Sequence, residues 1–118
     1  MKRIKIKNIT KNNNIASEGF LADNFYMRLK GLIGKKTLGA NGAICIKPCK
    51  SIHTFFMGFD IDAIFIDEKG GVCEIVRNIK PYRVSKYVFK AKYVIEILGG
   101  NAHKLKIELG DKIEIERI

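Results

Sequence analysis

Short stretches in which apolar and polar residues alternate recur along this 118-residue chain. Alternation with a period of two is typical of a β-strand that exposes one face to water. This alternation predicts strands over residues 2–9 and 112–118. Short apolar stretches bounded by turn residues predict further strands over residues 43–47, 51–57, 61–67, 72–79 and 92–98. The sequence therefore predicts a fold that is mainly β.

Turn-forming residues separate these predicted strands. Three asparagines at residues 12–14 tolerate left-handed backbone and predict a turn, after which comes a short apolar run through Phe20 and Leu21. Pro48 must end the strand over 43–47 or leave it at an edge. Two glycines at residues 70–71 supply the positive φ that a tight hairpin needs. Strands 61–67 and 72–79 are therefore expected to form an antiparallel hairpin.

Two stretches favour helix instead. Asp23 or Asn24 can cap a principal helix, in which apolar residues recur at helical spacing at Phe25, Leu29, Leu32 and Ile33. We expect its apolar side to be buried and Lys30 to be exposed. A short second helix is expected around residues 102–106. The predicted fold class is α+β with a mainly β, antiparallel architecture.

Length and composition limit what the chain can be. A length of 118 residues with 47% hydrophobic content suffices for one core, so residues 1–118 are expected to form a single domain. Lys and Arg outnumber Asp and Glu by 22 to 12, an excess that favours acidic partners. Because Lys, Ile and Asn are all abundant, a general bias in composition explains the same excess without a functional basic patch.

The start of the chain contains no apolar core of the length that a signal peptide needs, and no later run approaches a membrane span. We therefore expect a cytoplasmic protein. In that compartment Cys45, Cys49 and Cys73 should be reduced thiols.

The order of several motifs resembles the bacterial and archaeal DUF-192 domains of unknown function. The motifs are Arg28-x-x-Gly31-Leu32-x-Gly34, Pro48-Cys49-x-x-Ile52-His53-Thr54-x-x-Met57, Ile61-Asp62-x-x-Phe65-x-Asp67, Pro81-Tyr82-Arg83, Val94-x-Glu96 and Gly110-Asp111. The resemblance covers about residue 20 to the C-terminus. It implies a small β-rich, barrel-like domain with one principal helix and no assigned activity. The chain departs from the family pattern at Asp60, where proline is usual.

Soft metal ligands stand in the central block of residues 49–62. Cys49, His53 and Met57 are each four residues apart and would share one face of a continuous strand. Such a strand places successive members about 13 Å apart, which is too far for a single ion. Cys45 could extend the set, but Pro48 prevents the helix that would gather these side chains. We therefore expect no bound metal and no cofactor.

The same block offers two other interpretations. Cys49 as nucleophile, His53 as base and Asp62 as the orienting acid would make a cysteine- or acid-based enzyme, although no glycine elbow accompanies them. Alternatively, Arg28 and Asp62 either pair with each other or contact a ligand, because a charge in an apolar pattern needs a partner. The ligand-binding candidates are Arg28, Cys49, His53, Met57 and Asp62.

A second candidate surface lies further along the chain. Residues 77–92 contain six cations and no acid: Arg77, Lys80, Arg83, Lys86, Lys90 and Lys92. Tyr82, Tyr87 and Phe89 are interleaved with them, as in a surface that stacks bases and contacts phosphates of single-stranded nucleic acid. A solvated face with packed aromatic residues would show the same pattern.

The sequence favours a small binding or accessory module over an enzyme. Its ligand or protein partner is unknown at this level. Nonspecific binding of single-stranded nucleic acid and cysteine-based catalysis are the alternatives.

Overall fold

The computed structural model describes residues 2–23, 38–55 and 57–118. These residues form seven strands, β1 (Lys2–Asn8), β2 (Asn13–Ala22), β3 (Gly42–Ile46), β4 (Ile61–Asp67), β5 (Val72–Ile79), β6 (Ala91–Leu98) and β7 (Ile113–Arg117), and the short helix α1 (Asn101–Lys104). All the strands join one sheet in the order β5-β4-β6-β3-β2-β1-β7. The prediction of a mainly β fold is thus confirmed.

The sheet curls until its two edges touch at one end. Strands β5 and β7 lie at opposite ends of the strand order, yet Gly71 and Lys112 form a β-bridge between them. The Ile113 amide also donates to the carbonyl of Gly70 at 2.8 Å, and the Val72 amide to that of Asp111 at 2.9 Å. The result is a seven-stranded half-barrel, which agrees with the barrel-like expectation.

The predicted hairpin is confirmed, since β4 and β5 pair antiparallel. Its turn is closed by the Gly70 amide, which donates to the Asp67 carbonyl at 3.0 Å, and Gly70 has a φ of 83°. The Asp67 carboxylate accepts from the amides of Lys69 and Gly71 at 2.9 and 3.0 Å. A positive φ at this position is the reason that glycine is needed there.

One strand was missed and one strand prediction is wrong. The predicted turn is present, with Asn12 at a φ of 54°, but the missed strand β2 begins directly after it at Asn13 and continues for ten residues to Ala22. Its alternation is irregular because bulges shift its register against β1. Residues 51–57 were expected to be a strand, but among residues 51–55 and 57 only His53 forms a bridge, an isolated one to Val84. The described strand pairings are antiparallel as expected, except that β2 and β3 pair in parallel.

The helical predictions have mixed outcomes. The principal helix, with Phe25, Arg28, Leu29, Lys30, Leu32 and Ile33, lies outside the described residues. The short second helix is present but covers Asn101–Lys104, slightly earlier than predicted.

Strands β3, β4 and β6 are buried on both faces of the sheet. In β4, Ile64 and Ile66 enter one apolar core, whereas Ala63 and Phe65 enter the other. The first core contains residues of β1, β7 and α1. The second contains Cys49, Ile52 and Met57, so the connection between β3 and β4 packs over this face. Because Ile52 and Met57 pack over the sheet, the described residues of 51–57 do not form a strand within it.

A buried carboxylate fixes the start of β7. Asp111 is 3% exposed and accepts hydrogen bonds from the Asn8 side chain at 2.9 Å, the Glu108 amide at 2.9 Å and the Lys11 ammonium at 3.0 Å. Burial would raise the pKa of Asp111, but these three donors outweigh burial and lower the pKa below its usual value of 3.8.

This lowered pKa predicts the acid sensitivity of the fold. A carboxylate with a lower pKa when folded stabilises the protein fully above the unfolded pKa, and the stabilisation is lost as pH falls through the folded pKa. In urea melts between about pH 6 and about pH 3, Asp111→Asn should be less stable than the wild type at the higher pH and should lose less stability on acidification. Glu114→Gln, at an exposed position in β7, is the control. An acid dependence of Asp111→Asn equal to that of the wild type would contradict this role.

Candidate functional site

The segment after β3 runs beside the segment before β6 and the two are joined by backbone hydrogen bonds. Each bond runs from a backbone amide to a backbone carbonyl at 2.7–3.0 Å: Thr54 donates to Arg83, Ser85 to Ile52, Val88 to Lys50 and Cys49 to Lys92. The inner residues, Ile52 and Val88, pack in the second core. Residues 82–90 are thereby held at the surface, on top of residues 49–54.

Thr54 is the most connected residue of this pair of segments. It is fully buried, and its hydroxyl donates to the Lys80 carbonyl at 2.6 Å and accepts from the Arg83 amide at 2.9 Å. Its backbone amide donates to the Arg83 carbonyl at 2.8 Å, and its carbonyl accepts from the Tyr82 amide at 3.1 Å. One side chain therefore fixes the path of residues 80–83.

Tyr82 has an unusual backbone conformation at this point. Its φ is 62°, which is rare for a bulky residue and costs on the order of 1 kcal/mol or more. The hydrogen bond to Thr54 holds it there. Its ring is 64% exposed, so this conformation does not serve to bury an apolar side chain.

Several large apolar side chains on or beside these segments are exposed. We call Phe55, Tyr82, Val84, Tyr87 and Phe89 the exposed strip; four of them, from Tyr82 to Phe89, are between 64% and 79% exposed. The His53 ring stacks on Phe55 with centroids 5.2 Å apart, and Phe55 lies 6.3 Å from Tyr82. Exposed apolar side chains in contact, such as Phe55 and Tyr82, are typical of interaction surfaces.

The six cations of residues 77–92 are all exposed. Although the sequence places no acid among them, the fold pairs Lys80 with Asp60 at 2.6 Å and Lys86 with Glu74 at 2.8 Å. The hydrogen bond from Lys86 lowers the pKa of Glu74, against the smaller opposing effect of burial. Arg77, Arg83, Lys90 and Lys92 form no ion pair with any carboxylate of the described residues.

Cys49 and Met57 lie in the second core rather than at a surface. The Cys49 thiol donates to the Ser51 carbonyl at 3.0 Å. His53 is half-buried and belongs to the stack with Phe55. Of these three candidates, only His53 reaches the surface that carries the exposed strip.

Asp62 points to the opposite face of the sheet from Cys49. It alternates with Ile61 and Ala63, which enter the second core, and is 1% exposed. Its carboxylate accepts three backbone N–H groups: Asn78 at 2.8 Å, Gly100 at 3.0 Å and Ala102 at 2.8 Å. Asp62 thus ties β4 to the end of β5 and the start of α1, and these donors explain its place in an apolar strand.

The remaining candidates complete the comparison with the sequence. Arg28 lies outside the described residues, so its pairing with Asp62 stays a prediction. No group of three or more His, Cys, Asp or Glu side chains suited to hold a metal ion occurs in the described part of the chain. The expectation that the protein binds no metal stays a prediction.

Two buried polar residues were not singled out from the sequence. Thr54 stood within a quoted motif, but a threonine between apolar residues does not reveal its hydrogen bonds. Glu96 is fully buried in β6, beside Ala63 and Ile44. The sequence did indicate that Glu96 is unusual, because a charged residue that interrupts the apolar run of a central strand must be stabilised by its neighbours.

Comparison with known proteins shows that the chain is similar to a family of proteins. The DUF-192 family model, described as "Uncharacterized ACR", matches residues 6–115. A UPF0127 protein of Pyrococcus horikoshii is 37% identical over 92% of this chain and 96% of its own length. A UPF0127 protein of Pyrococcus furiosus is 33% identical over 94% of this chain and 97% of its own length.

A solved structure has the same fold. The crystal structure of a protein of unknown function from Novosphingobium aromaticivorans matches with a TM-score of 0.78 and 24% identity, covering 95% of this chain and 83% of that one. Among the helices of the described residues, none has the length and apolar character to cross a membrane.

The environment of the cysteines predicts slow thiol chemistry. Burial raises the pKa of Cys45 to about 12 and also raises the pKa of Cys73. At about pH 8 only about one Cys45 thiol in 10,000 would be ionised, and the thiolate is the reactive form. Native protein should therefore react slowly with a thiol probe, with Cys45 and Cys49 modified only on unfolding.

The control is the denatured chain, in which three thiols should react at once. Cys49→Ser identifies the signal of Cys49. Rapid modification of Cys49 in the native protein would contradict this assignment and would favour the cysteine-enzyme alternative.

Proposed function

The chain belongs to the DUF-192 family of uncharacterised proteins, and we propose that it is a binding module that takes up single-stranded nucleic acid on the surface of residues 77–92. The observation that carries this proposal is the exposed strip. Its rings stand in solvent beside cations, and binding of single strands without sequence preference uses aromatic stacking together with phosphate contacts.

The shape of the surface supports this proposal. Tyr82, Tyr87 and Phe89 lie on one segment, with Arg83, Lys86 and Lys90 between and beside them. Thr54 holds the start of this segment in place, and the bonds from Val88 and Ser85 hold the rest. A backbone segment that is already held in place loses less conformational entropy when a ligand binds along it.

The charges support a polyanionic ligand. With Lys80 and Lys86 paired to acids, Arg83, Lys90 and Lys92 remain to contact phosphates without breaking an ion pair of the described structure. Lysine is a point charge and reads no base edges, so the binding we propose is sequence-blind.

The central block of residues 49–62 then has a supporting role. Ile52 and Thr54 hold the surface segment from below, and His53 extends the ring stack. Cys49 and Asp62 face opposite sides of the sheet, an arrangement that argues against their acting together in catalysis. A binding role through the surface requires neither of them to react.

Salt titrations with short fluorescent oligonucleotides test this function. Log affinity should fall as log salt rises, with a slope of about 0.7 for each phosphate contact. Arg83→Glu combined with Lys90→Glu should weaken binding and flatten that slope. These two positions are chosen because reversal of Lys86 would also disturb Glu74.

The matched control is Lys5→Glu combined with Lys7→Glu, two exposed lysines of β1. Tyr82→Ala should weaken binding by about tenfold through the loss of one stacked base. Absence of binding even at low salt, or an equal loss in the β1 control, would refute the proposed function.

A further inference from the structure

A groove runs between the β4–β5 turn and the chain that enters β6. It consists of two adjoining depressions of about 480 and about 500 Å3, which share Asp67, Glu68, Lys69 and Lys92 in their walls. Depressions of this size fall within the range of roughly 300–1,000 Å3 that is usual for small-molecule sites.

Cations predominate in the walls of this groove. We define the lysine groove by Lys47, Lys50, Lys69, Lys90 and Lys92. Across residues 2–23, 38–55 and 57–118, no carboxylate forms an ion pair with any of the five. Asp67 is instead turned to the amides of its own hairpin. Five lysines against two acids give the groove a net positive charge that suits an anion.

One of these lysines is fixed in place. The Lys50 ammonium donates to the carbonyls of Phe89 and Ala91 at 2.5 and 2.6 Å and lies 5.5 Å from the centre of the Phe89 ring. An ammonium group has three N–H donors, so one remains for an anion. The structure thus holds a cation beside an aromatic ring before any ligand arrives.

The ring itself is the most exposed of the large apolar side chains. Phe89 is 79% exposed and forms part of the groove wall. A flat apolar surface beside ammonium groups matches a ligand that has a planar ring at one end and a phosphate at the other. Asp67 and Glu68, which also line the groove, would repel a phosphate backbone that continued past them.

We propose that the lysine groove holds a nucleoside monophosphate group, with its base on Phe89 and its phosphate among the lysines. The group has two possible sources, a free nucleotide or the phosphorylated end of a strand bound on residues 77–92. Only the second source rests on the proposed function.

The first arm of the test uses free ligands. Chemical-shift titrations compare adenosine 5′-monophosphate, adenosine and inorganic phosphate. The monophosphate should bind at least about tenfold more tightly than either fragment, because stacking and charge act together. If inorganic phosphate binds as tightly as the monophosphate, the ring has no role and a free-nucleotide site is refuted.

The second arm uses oligonucleotides of one sequence with and without a terminal phosphate. On the wild-type protein, a terminal phosphate at one end of the oligonucleotide should increase the affinity. On the Lys69→Gln, Lys92→Gln variant, the same phosphate should give a smaller increase. Phe89→Ala should remove the gain, while Leu109→Ala, a similarly exposed apolar position elsewhere, should keep it. Thermal melts of each variant establish that it is folded.

The outcomes separate this inference from the proposed function. If oligonucleotides bind but neither the monophosphate nor a terminal phosphate shows a Phe89-dependent gain, this inference is wrong and the proposed function stands. If the monophosphate binds and oligonucleotides do not, the inference stands and the proposed function is wrong.

Discussion

The hydrogen bonds of one buried threonine determine the shape of the candidate surface. Thr54 uses its hydroxyl, its amide and its carbonyl to hold residues 80–83, including Tyr82 with its positive φ. Because Thr54 is anchored between Ile52 and Met57 in the second core, the rigidity of the sheet is passed to a segment outside it. Part of the exposed strip lies on that segment, and backbone hydrogen bonds from Ser85 and Val88 hold the residues that follow it. The lysine groove lies at the other end of the same stretch, at Phe89 and Lys90.

Much of the sheet could be predicted from local alternation. β1, the β4–β5 hairpin, β6 and β7 alternate or have decisive glycines, as at Gly70. The failures have a common physical cause. β2 is bulged, and residues 51–57 bury apolar side chains against the sheet rather than in it, so in neither case does the periodicity of two correspond to strand pairing.

The candidate site was only partly accessible from sequence. Neighbours in the chain suggested that Cys49, His53 and Asp62 act together. In the fold, Cys49 packs in the second core, whereas Asp62 faces the other side of the sheet and is occupied by backbone donors. The run of cations at 77–92 was recognised, whereas the pairing of Lys80 and Lys86 with distant acids required the fold. The lysine groove is built from three separate stretches of the chain, so no single stretch of sequence predicts it.

Amide hydrogen exchange in Thr54→Val tests most directly whether Thr54 holds the surface. Valine keeps the shape of threonine but removes the acceptor of the Arg83 amide. That amide should exchange about five- to tenfold faster than in the wild type, since a hydrogen bond of about 1–1.5 kcal/mol is lost, while the amides of β4 should be unchanged. Unchanged exchange at Arg83, with the variant folded, would contradict the account.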